Sequence, residues 1–450
     1  MGSIIESLKS KYSGKKVLVV GLGLQGGGAG VAKFFVDLGA IVTVTDKKDE
    51  KALEFSINQL ANLQINFHLG GHILEDFLQA DVIFKGPVVS WSLPEIVEAE
   101  KQGIPVEMEL SFFAEHCPAK IIGVTGTRGK STTTYMIYTL LKENGYSVHL
   151  SGSIPGVSTI ALLKAAESKD WIVMELPSWP LSGFHRKKIS PHIGVFTNMY
   201  PDHLNFYSKM DEYLWDKKAV YLYQTQKDHL VANRQLEAII QKDQIRSKIT
   251  YFQALDFPYE FKYLKGEHNK ENAAAALSVS RIAGVNEKKA IESISGFKGL
   301  PYRQEIVGEK DHVIFVNDTT STTPIATIKA IEAFGVDSIV LLLGGNSKRL
   351  PFETLFDVLE IVKHIVLLKG SFTDEILPLL EKRFAHKISE VYDDLEMAVK
   401  KAYELAKANG PKKTYVLFSP SATSFAMFNN EFHRGEIFNK IVREILNSES

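Results

Sequence analysis

The sequence predicts an α/β protein of three consecutive domains, over residues 1–115, 116–298 and 299–450. Three observations carry this expectation. Short runs of aliphatic residues alternate with amphipathic segments of helical length, two glycine-rich loops each stand between such a run and a helix, and a Gly/Pro cluster at 296–301 interrupts the alternation. A chain of 450 residues also exceeds one ordinary core, so two or three domains are expected on length alone.

The first domain opens with a strand over Lys16–Val20, a glycine loop, a helix over Ala29–Leu38 and a strand over Ile41–Thr45 that ends at Asp46. Strand, helix and strand at this spacing make a βαβ unit with parallel strands. Phe67–Leu69, Ala80–Phe84, a helix near Glu95–Gln102 and Ile104–Glu107 continue the alternation. In the second domain Lys120–Val124 reads as a buried strand, Tyr135–Leu141 as part of an amphipathic helix, and Trp171–Glu175, His192–Thr197 and His229–Asn233 as further strands before a helix over Asn269–Ala283. Gly296–Pro301 is the linker to the third domain, whose strands are Val313–Asp318, Ser338–Leu343, His364–Leu368 and Thr414–Phe418. Their unbroken apolar character suits strands covered on both faces.

The segment Gly126-Thr127-Arg128-Gly129-Lys130-Ser131-Thr132 stands where the strand Lys120–Val124 becomes a helix. Glycines there let backbone N–H groups converge on an anion, the helix N-terminus adds partial positive charge, and Lys130 can reach terminal phosphates. A hydroxyl directly after the lysine, Ser131, suits Mg²⁺. Against the general motif Val124 occupies the first glycine position, so the pattern shortens to Gly126-x-x-Gly129-Lys130-Ser131. A plain turn of this composition is the competing reading, and the flanking strand and helix weigh against it.

In the first domain Gly21-x-Gly23-x-x-Gly26 follows a strand, with Asp46 placed 20 residues beyond Gly26. This pattern admits a pyrophosphate and a ribose, which a dinucleotide and a UDP-sugar both offer. The expected folds are therefore Rossmann-like in the N-terminal domain, of the P-loop ATPase type in the centre, and, from its strand and helix alternation, Rossmann-like again in the C-terminal domain. A triphosphate and a diphosphate in one chain point to a kinase or an ATP-dependent ligase rather than to a dehydrogenase.

Glu175 ends a strand, where its carboxylate can hold Mg²⁺ near the phosphate loop, and Asp202 and His203 fall in the loop after the next strand. Taken singly each is as readily a solvated carboxylate or a loop histidine; their convergence on one sheet edge favours function. Lys217 and Lys218 adjoin on a helix, where most lysines are solvated.

A formal net charge of -1 offers no basic surface for nucleic acid and no acidic tail. Cys117 is the only cysteine, which excludes intrachain disulfides and cysteine-based zinc sites. Met1–Lys16 is polar and charged, and no apolar run approaches about 18 residues. A cytoplasmic, reduced location without membrane contact is expected.

Taken together, Val19–Gly26, Gly126–Thr132, Met174–Trp179, Thr197–His203, Gly266–Asn272, Gly299–Arg303, Asn317-Asp318, Leu343–Gly345 and Ser419–Phe425 resemble the Mur ligase family, and within it the D-glutamate-adding branch of peptidoglycan synthesis. The blocks occur in family order along essentially the whole chain, and the shortened phosphate loop is the form this family uses. The resemblance implies an ATP-dependent amide ligase that joins an amino acid to a UDP-linked sugar-peptide through an acyl phosphate. It implies that Leu24, Gln25, Asp46 and Ser153 hold the UDP-substrate. It assigns Gly126, Thr127, Gly129, Lys130, Ser131, Thr132, Asn269, Asn272, Arg303 and Asp318 to ATP, and Thr322, Lys348 and Ser424 to the amino acid. Two Mg²⁺ ions are implied, held by Ser131, Glu175, His203 and Lys217, with Lys217 carbamylated by CO₂ and Lys218 the competing register. Lys130, His203 and Lys217 carry the catalytic roles, the enzyme is expected as a monomer, and the third domain is expected to close over the other two to keep water from the acyl phosphate.

Departures concentrate around the substrates. Where the family continues Ser-Lys-Ala-Thr-Asn after Asn317-Asp318, this chain reads Thr319-Thr320-Ser321-Thr322-Thr323 and lacks the lysine. A usual aromatic position aligns with Glu431, with Phe432 displaced by one. The uridine loop is Gly86-Pro87-Val88, Ser153 replaces an asparagine, and Pro177-Ser-Trp-Pro180 follows Glu175. A charge-assisted contact contributes about 1.5–3 kcal/mol, so the missing lysine weakens or redirects amino-acid choice without abolishing ligation. A related ligase with another acceptor and a non-catalytic nucleotide-binding homologue are the alternative readings.

Overall fold

The computed structural model describes residues 4–23, 26–154, 157–200, 207, 209–264, 267–335, 337–348, 350–424, 428 and 430–448. Three sheets organise it. The first contains β1 (Lys16–Val20), β2 (Ile41–Asp46), β3 (Ile65–Leu69), β4 (Val82–Lys85) and β5 (Val106–Glu107), in the order β3-β2-β1-β4-β5 and parallel throughout. The residues of β1 from Val17 to Val20 are each at most 1% exposed, as a central strand covered on both faces requires.

The second sheet contains β6 (Lys120–Thr125), β7 (Val148–Gly152), β8 (Trp171–Glu175), β9 (Ile193–Phe196), β10 (His229–Asn233) and β11 (Lys248–Phe252), in the order β11-β10-β9-β6-β8-β7. All of its pairings are parallel. Helix Lys130–Glu143 follows β6 directly, and helix Glu267–Ala283 packs against it. The third sheet contains β12 (Glu305–Lys310), β13 (Val313–Asn317), β14 (Ser338–Gly344), β15 (His364–Leu368), β16 (Ile388–Tyr392) and β17 (Thr414–Phe418), in the order β12-β13-β17-β14-β15-β16. It is parallel except for β12, which runs antiparallel to β13.

The sheets fall into two compact units. Met1–Glu260 with Glu267–Ser295 holds the first two sheets, and Phe261–Gly266 with Gly296–Ser450 holds the third. The first two sheets share a unit because one apolar cluster runs from Tyr12, Phe35 and Phe84 through Phe112 and Ile160 to Leu181 and Phe184. The second unit has an apolar layer on each face of its sheet, around Ile331, Leu341 and Ile376 on one side and around Val340, Val399 and Phe438 on the other. Among the described residues no helix is long and apolar enough to cross a membrane.

Candidate active site

The phosphate loop leaves the carboxyl end of β6, between β9 and β8. Its conformation demands glycine twice. Gly126 has φ +147°, with a Cβ there colliding with Thr197, and Gly129 has φ +79°, with a Cβ colliding with Asn272. The loop is fastened from the neighbouring strand end: Thr127 N donates to Asn198 O at 3.0 Å, Arg128 N to Asn198 Oδ1 at 2.8 Å, and Thr197 Oγ1 to Arg128 O at 2.6 Å. Lys130 opens the helix and its Nζ donates to Thr127 O at 3.1 Å. Thr133 Oγ1 donates to Asn272 Oδ1 at 3.1 Å, and Asn272 Nδ2 donates to Asn269 Oδ1 at 3.3 Å. The two asparagines expected near a nucleotide therefore brace the loop and its helix from helix Glu267–Ala283.

Glu175 ends β8, pairs in register with Val124 of β6 and is 7% exposed. The backbone N–H of Ser153, the first residue after β7, donates to Glu175 O at 3.1 Å. Lys217 comes from helix Met210–Lys218, is 1% exposed, and donates from Nζ to Gly126 O at 2.7 Å while lying 4.6 Å from the centre of the Tyr213 ring. Lys218 turns the other way and pairs with Asp243 at 2.8 Å. Of the two lysines, Lys217 is the one that reaches the loop. Leu24, Gln25, Asp202 and His203 lie outside the described residues.

The hydroxyl of Ser131 and the carboxylate of Glu175 are hard oxygen donors of the kind Mg²⁺ takes. No group of three or more His, Cys, Asp or Glu suited to a metal exists among the described residues. That donor set fits a Mg²⁺ held by few protein ligands together with phosphates, and does not fit an all-protein cage.

At the carboxyl edge of the first sheet, Asp46 accepts from Gly23 N at 3.3 Å and from Lys48 N at 3.0 Å, and Ser56 Oγ donates to Gly23 O at 2.6 Å. The Asp is thus tied to the glycine loop it was expected to serve. Sequence reasoning overlooked a cationic cluster on the same edge. Lys85, the last residue of β4, donates to Gly86 O at 3.3 Å and Val89 O at 2.8 Å and lies 4.3 Å from the Trp91 ring centre. The Arg186 guanidinium lies 3.7 Å from the same ring centre, and Trp91 Nε1 donates to Ser182 Oγ at 2.9 Å. Burial, reinforced by the charge of Arg186, pushes the Lys85 ammonium down to about 7. Its signal in the sequence is a lysine closing the apolar run Val82-Ile-Phe.

In the second unit three loops leave the carboxyl ends of the adjacent strands β13, β17 and β14. Asp318 accepts from Ser321 Oγ at 2.5 Å, Ser419 Oγ at 2.7 Å and Gln304 N at 3.1 Å. Burial pushes its carboxyl up to about 6, although these donors and the Arg303 charge favour the anion. Lys348 Nζ donates to Thr322 Oγ1 at 2.8 Å, which joins two of the residues expected at an amino-acid site. Ser424, the third, is 3% exposed and its Oγ has no hydrogen-bond partner among the described residues. Arg434 was not anticipated. It is 1% exposed and donates to Thr319 and Ala422. It falls on the buried stripe of helix Glu431–Asn447 with Phe438, Ile441 and Ile445, and an arginine on an apolar stripe is a signal readable in the sequence.

A family model described as the Mur ligase middle domain matches residues 124–257, and one described as Mur ligase MurD-like, N-terminal domain matches residues 15–107. The UDP-N-acetylmuramoylalanine--D-glutamate ligase of Roseiflexus sp. (strain RS-1) is 34% identical, over 96% of this chain and 99% of its own length. The protein of the same name from Borreliella afzelii (strain PKo) is 32% identical, over 94% of this chain and 97% of its own. Among solved structures, UDP-N-acetylmuramate-alanine ligase MurC from Thermotoga maritima aligns with a TM-score of 0.56 at 19% identity, covering 96% of this chain and 100% of that one. MurF ligase from Thermotoga maritima in complex with ADP aligns with a TM-score of 0.53 at 18% identity, covering 99% and 100%. These two structures share the fold.

Proposed function

The chain belongs to the Mur ligase family, and from that membership we propose that it is an ATP-dependent, ADP-forming ligase that joins D-glutamate to UDP-N-acetylmuramoyl-L-alanine in peptidoglycan synthesis. The observation that carries the mechanism is the meeting, at adjacent strand ends, of a glycine-shaped phosphate loop, the Glu175 carboxylate and the Lys217 amine 2.7 Å from Gly126 O. Residues 1–115 take the UDP-substrate, 116–298 the ATP and 299–450 the amino acid.

The reaction is one of charge management. The γ-phosphoryl group of ATP passes to the carboxylate of the UDP-substrate, which gives an acyl phosphate and ADP. The loop N–H groups, the helix N-terminus and Lys130 hold the phosphate oxygens as negative charge moves toward ADP. Ser131 and Glu175 would hold a Mg²⁺ that would further neutralise those oxygens, and Lys217 and His203 would serve a second ion. Lys217 serves as a carbamate: its nitrogen keeps one N–H for Gly126 O while the added carboxylate replaces a cation by an anion. The amine of D-glutamate then attacks the acyl carbon, loses a proton, and the tetrahedral intermediate expels phosphate to leave the amide. Asn269 and Asn272 serve the adenine side, Arg303 and Asp318 are the ATP-directed residues of the C-terminal domain, and Leu24, Gln25, Asp46 and Ser153 hold the UDP-substrate. Thr322, Lys348 and Ser424 take the amino acid. The enzyme works as a cytoplasmic monomer without nucleic-acid or membrane partners.

ADP release measured with each substrate omitted in turn tests this reading, and it must require both UDP-N-acetylmuramoyl-L-alanine and D-glutamate. A different amino-acid acceptor is the second reading, favoured by Thr320 at the position of the family lysine. Phosphate release across a panel of amino acids separates the two.

A further inference from the structure

Arg434 carries a buried charge. The side chain is 1% exposed and makes no ion pair among the described residues. Its Nε donates to Thr319 Oγ1 at 2.8 Å, and Nη2 donates to Thr319 O at 2.8 Å and to Ala422 O at 3.2 Å, all neutral acceptors. Nη1 makes no such bond; it lies beside Gly345, where an added Cβ would meet it at 3.6 Å. Glu431, three residues earlier on the same helix, is a carboxylate whose charge bears on it. A cation so desolvated favours an anion nearby.

The surroundings indicate which anion. Arg434 lines a narrow cleft with Gly345, Thr423, Ser424 and Phe428, and the exposed Lys369 adds a second cation to its lining. Ser424 Oγ in that cleft is buried and without a partner among the described residues. Lys348 stands on the loop after β14, and the loop after β13 runs from Asp318 through Thr319-Thr-Ser-Thr-Thr323 without a cation of its own. These strand ends are the ones to which the proposed function gives the amino acid.

We propose that Arg434 is a specificity-determining positioning residue, whose buried charge selects an acidic over a neutral amino acid at the site of Thr322, Lys348 and Ser424. It acts without touching the reacting atoms, through its field and through the Thr319 and Ala422 carbonyls it fixes. This rests on the reading of the chain as a ligase that adds an acidic amino acid.

The test compares kcat/KM for D-glutamate with that for D-glutamine, its uncharged isostere, by ADP release with UDP-N-acetylmuramoyl-L-alanine present. Arg434→Gln should lower the preference for D-glutamate by about tenfold or more, mainly through KM for the amino acid, and Arg434→Lys should restore part of it. Glu431→Gln, which leaves Arg434 in place and removes the competing charge, should raise the preference, and it decides the matter if Arg434→Gln does not fold. Equal losses for both amino acids in Arg434→Gln, or an unchanged preference in Glu431→Gln, overturn the proposal and leave Arg434 a structural residue. A wild-type enzyme that uses another acidic amino acid instead overturns the D-glutamate assignment alone, and the preference for that acid over its amide then supports or overturns the role of Arg434. One that prefers neutral amino acids overturns both.

Discussion

Lys217 and Lys218 are adjacent in sequence and have opposite environments, one buried against Gly126 O and the other paired with Asp243. Helical periodicity could not separate them, because the distinction comes from which neighbouring segment each residue meets. Lys130 was legible, since a lysine after Gly129 at a strand-to-helix junction has a physical reason to be there. Lys130→Ala is expected to lower ADP release roughly 10²–10³-fold with the fold retained, measured by steady-state kinetics beside circular dichroism. Lys85 makes a different prediction. Its ammonium is held down to about 7 against an ordinary 10.5. Below pH 7 the folded and unfolded chains both carry the charge and the full cost of burying it is present. Between about 7 and 10.5 the folded chain sheds the proton while the unfolded chain keeps it, so this cost is relieved as pH rises. Wild type should therefore gain thermal stability relative to Lys85→Met between pH 6.5 and pH 9, a difference that parallel melting curves read directly.

At the scale of elements, the central strands were legible and four edge strands were not. β1, β6, β9, β13 and β17 sit inside their sheets, and apart from the end residues Lys16, Lys120, Thr125, Asn317 and Thr414 they are continuous buried apolar runs. β7, β11, β12 and β16 lie at sheet edges, and exposed or half-buried residues dominate them, as in Glu305–Lys310 and Ile388–Tyr392. A strand with one neighbour and a wet face has no apolar run to betray it. The antiparallel setting of β12 was invisible for the same reason, whereas the phosphate loop was plain because glycine chemistry is local. Gly129→Ala tests that loop: a left-handed residue with a side chain costs about 1–2 kcal/mol, and the new Cβ strikes the Asn272 amide. The variant should raise KM for ATP at least about tenfold, and a KM equal to wild type would remove the loop from nucleotide binding.

For the whole molecule, three sheets stand where the sequence led to three domains, and the first two fall in one compact unit because they share one apolar cluster. Composition does not encode which α/β segments pool their cores; that depends on contacts such as those of helix Gly27–Asp37 with the turn Ile160–Lys164, far along the chain. The glycine loop at Gly21–Gly26 left a dinucleotide and a UDP-sugar open, and the proposed function takes the latter. Saturable binding of UDP, with none of NAD(P), is expected by calorimetry. The chain's relatives are matched over nearly their full lengths. The most direct measurement is ADP formation from ATP by the purified chain with UDP-N-acetylmuramoyl-L-alanine and each amino acid of a panel. Turnover that requires the UDP-substrate and is fastest with D-glutamate is the predicted result, and ADP formation independent of the UDP-substrate, or absent with every amino acid, would contradict it.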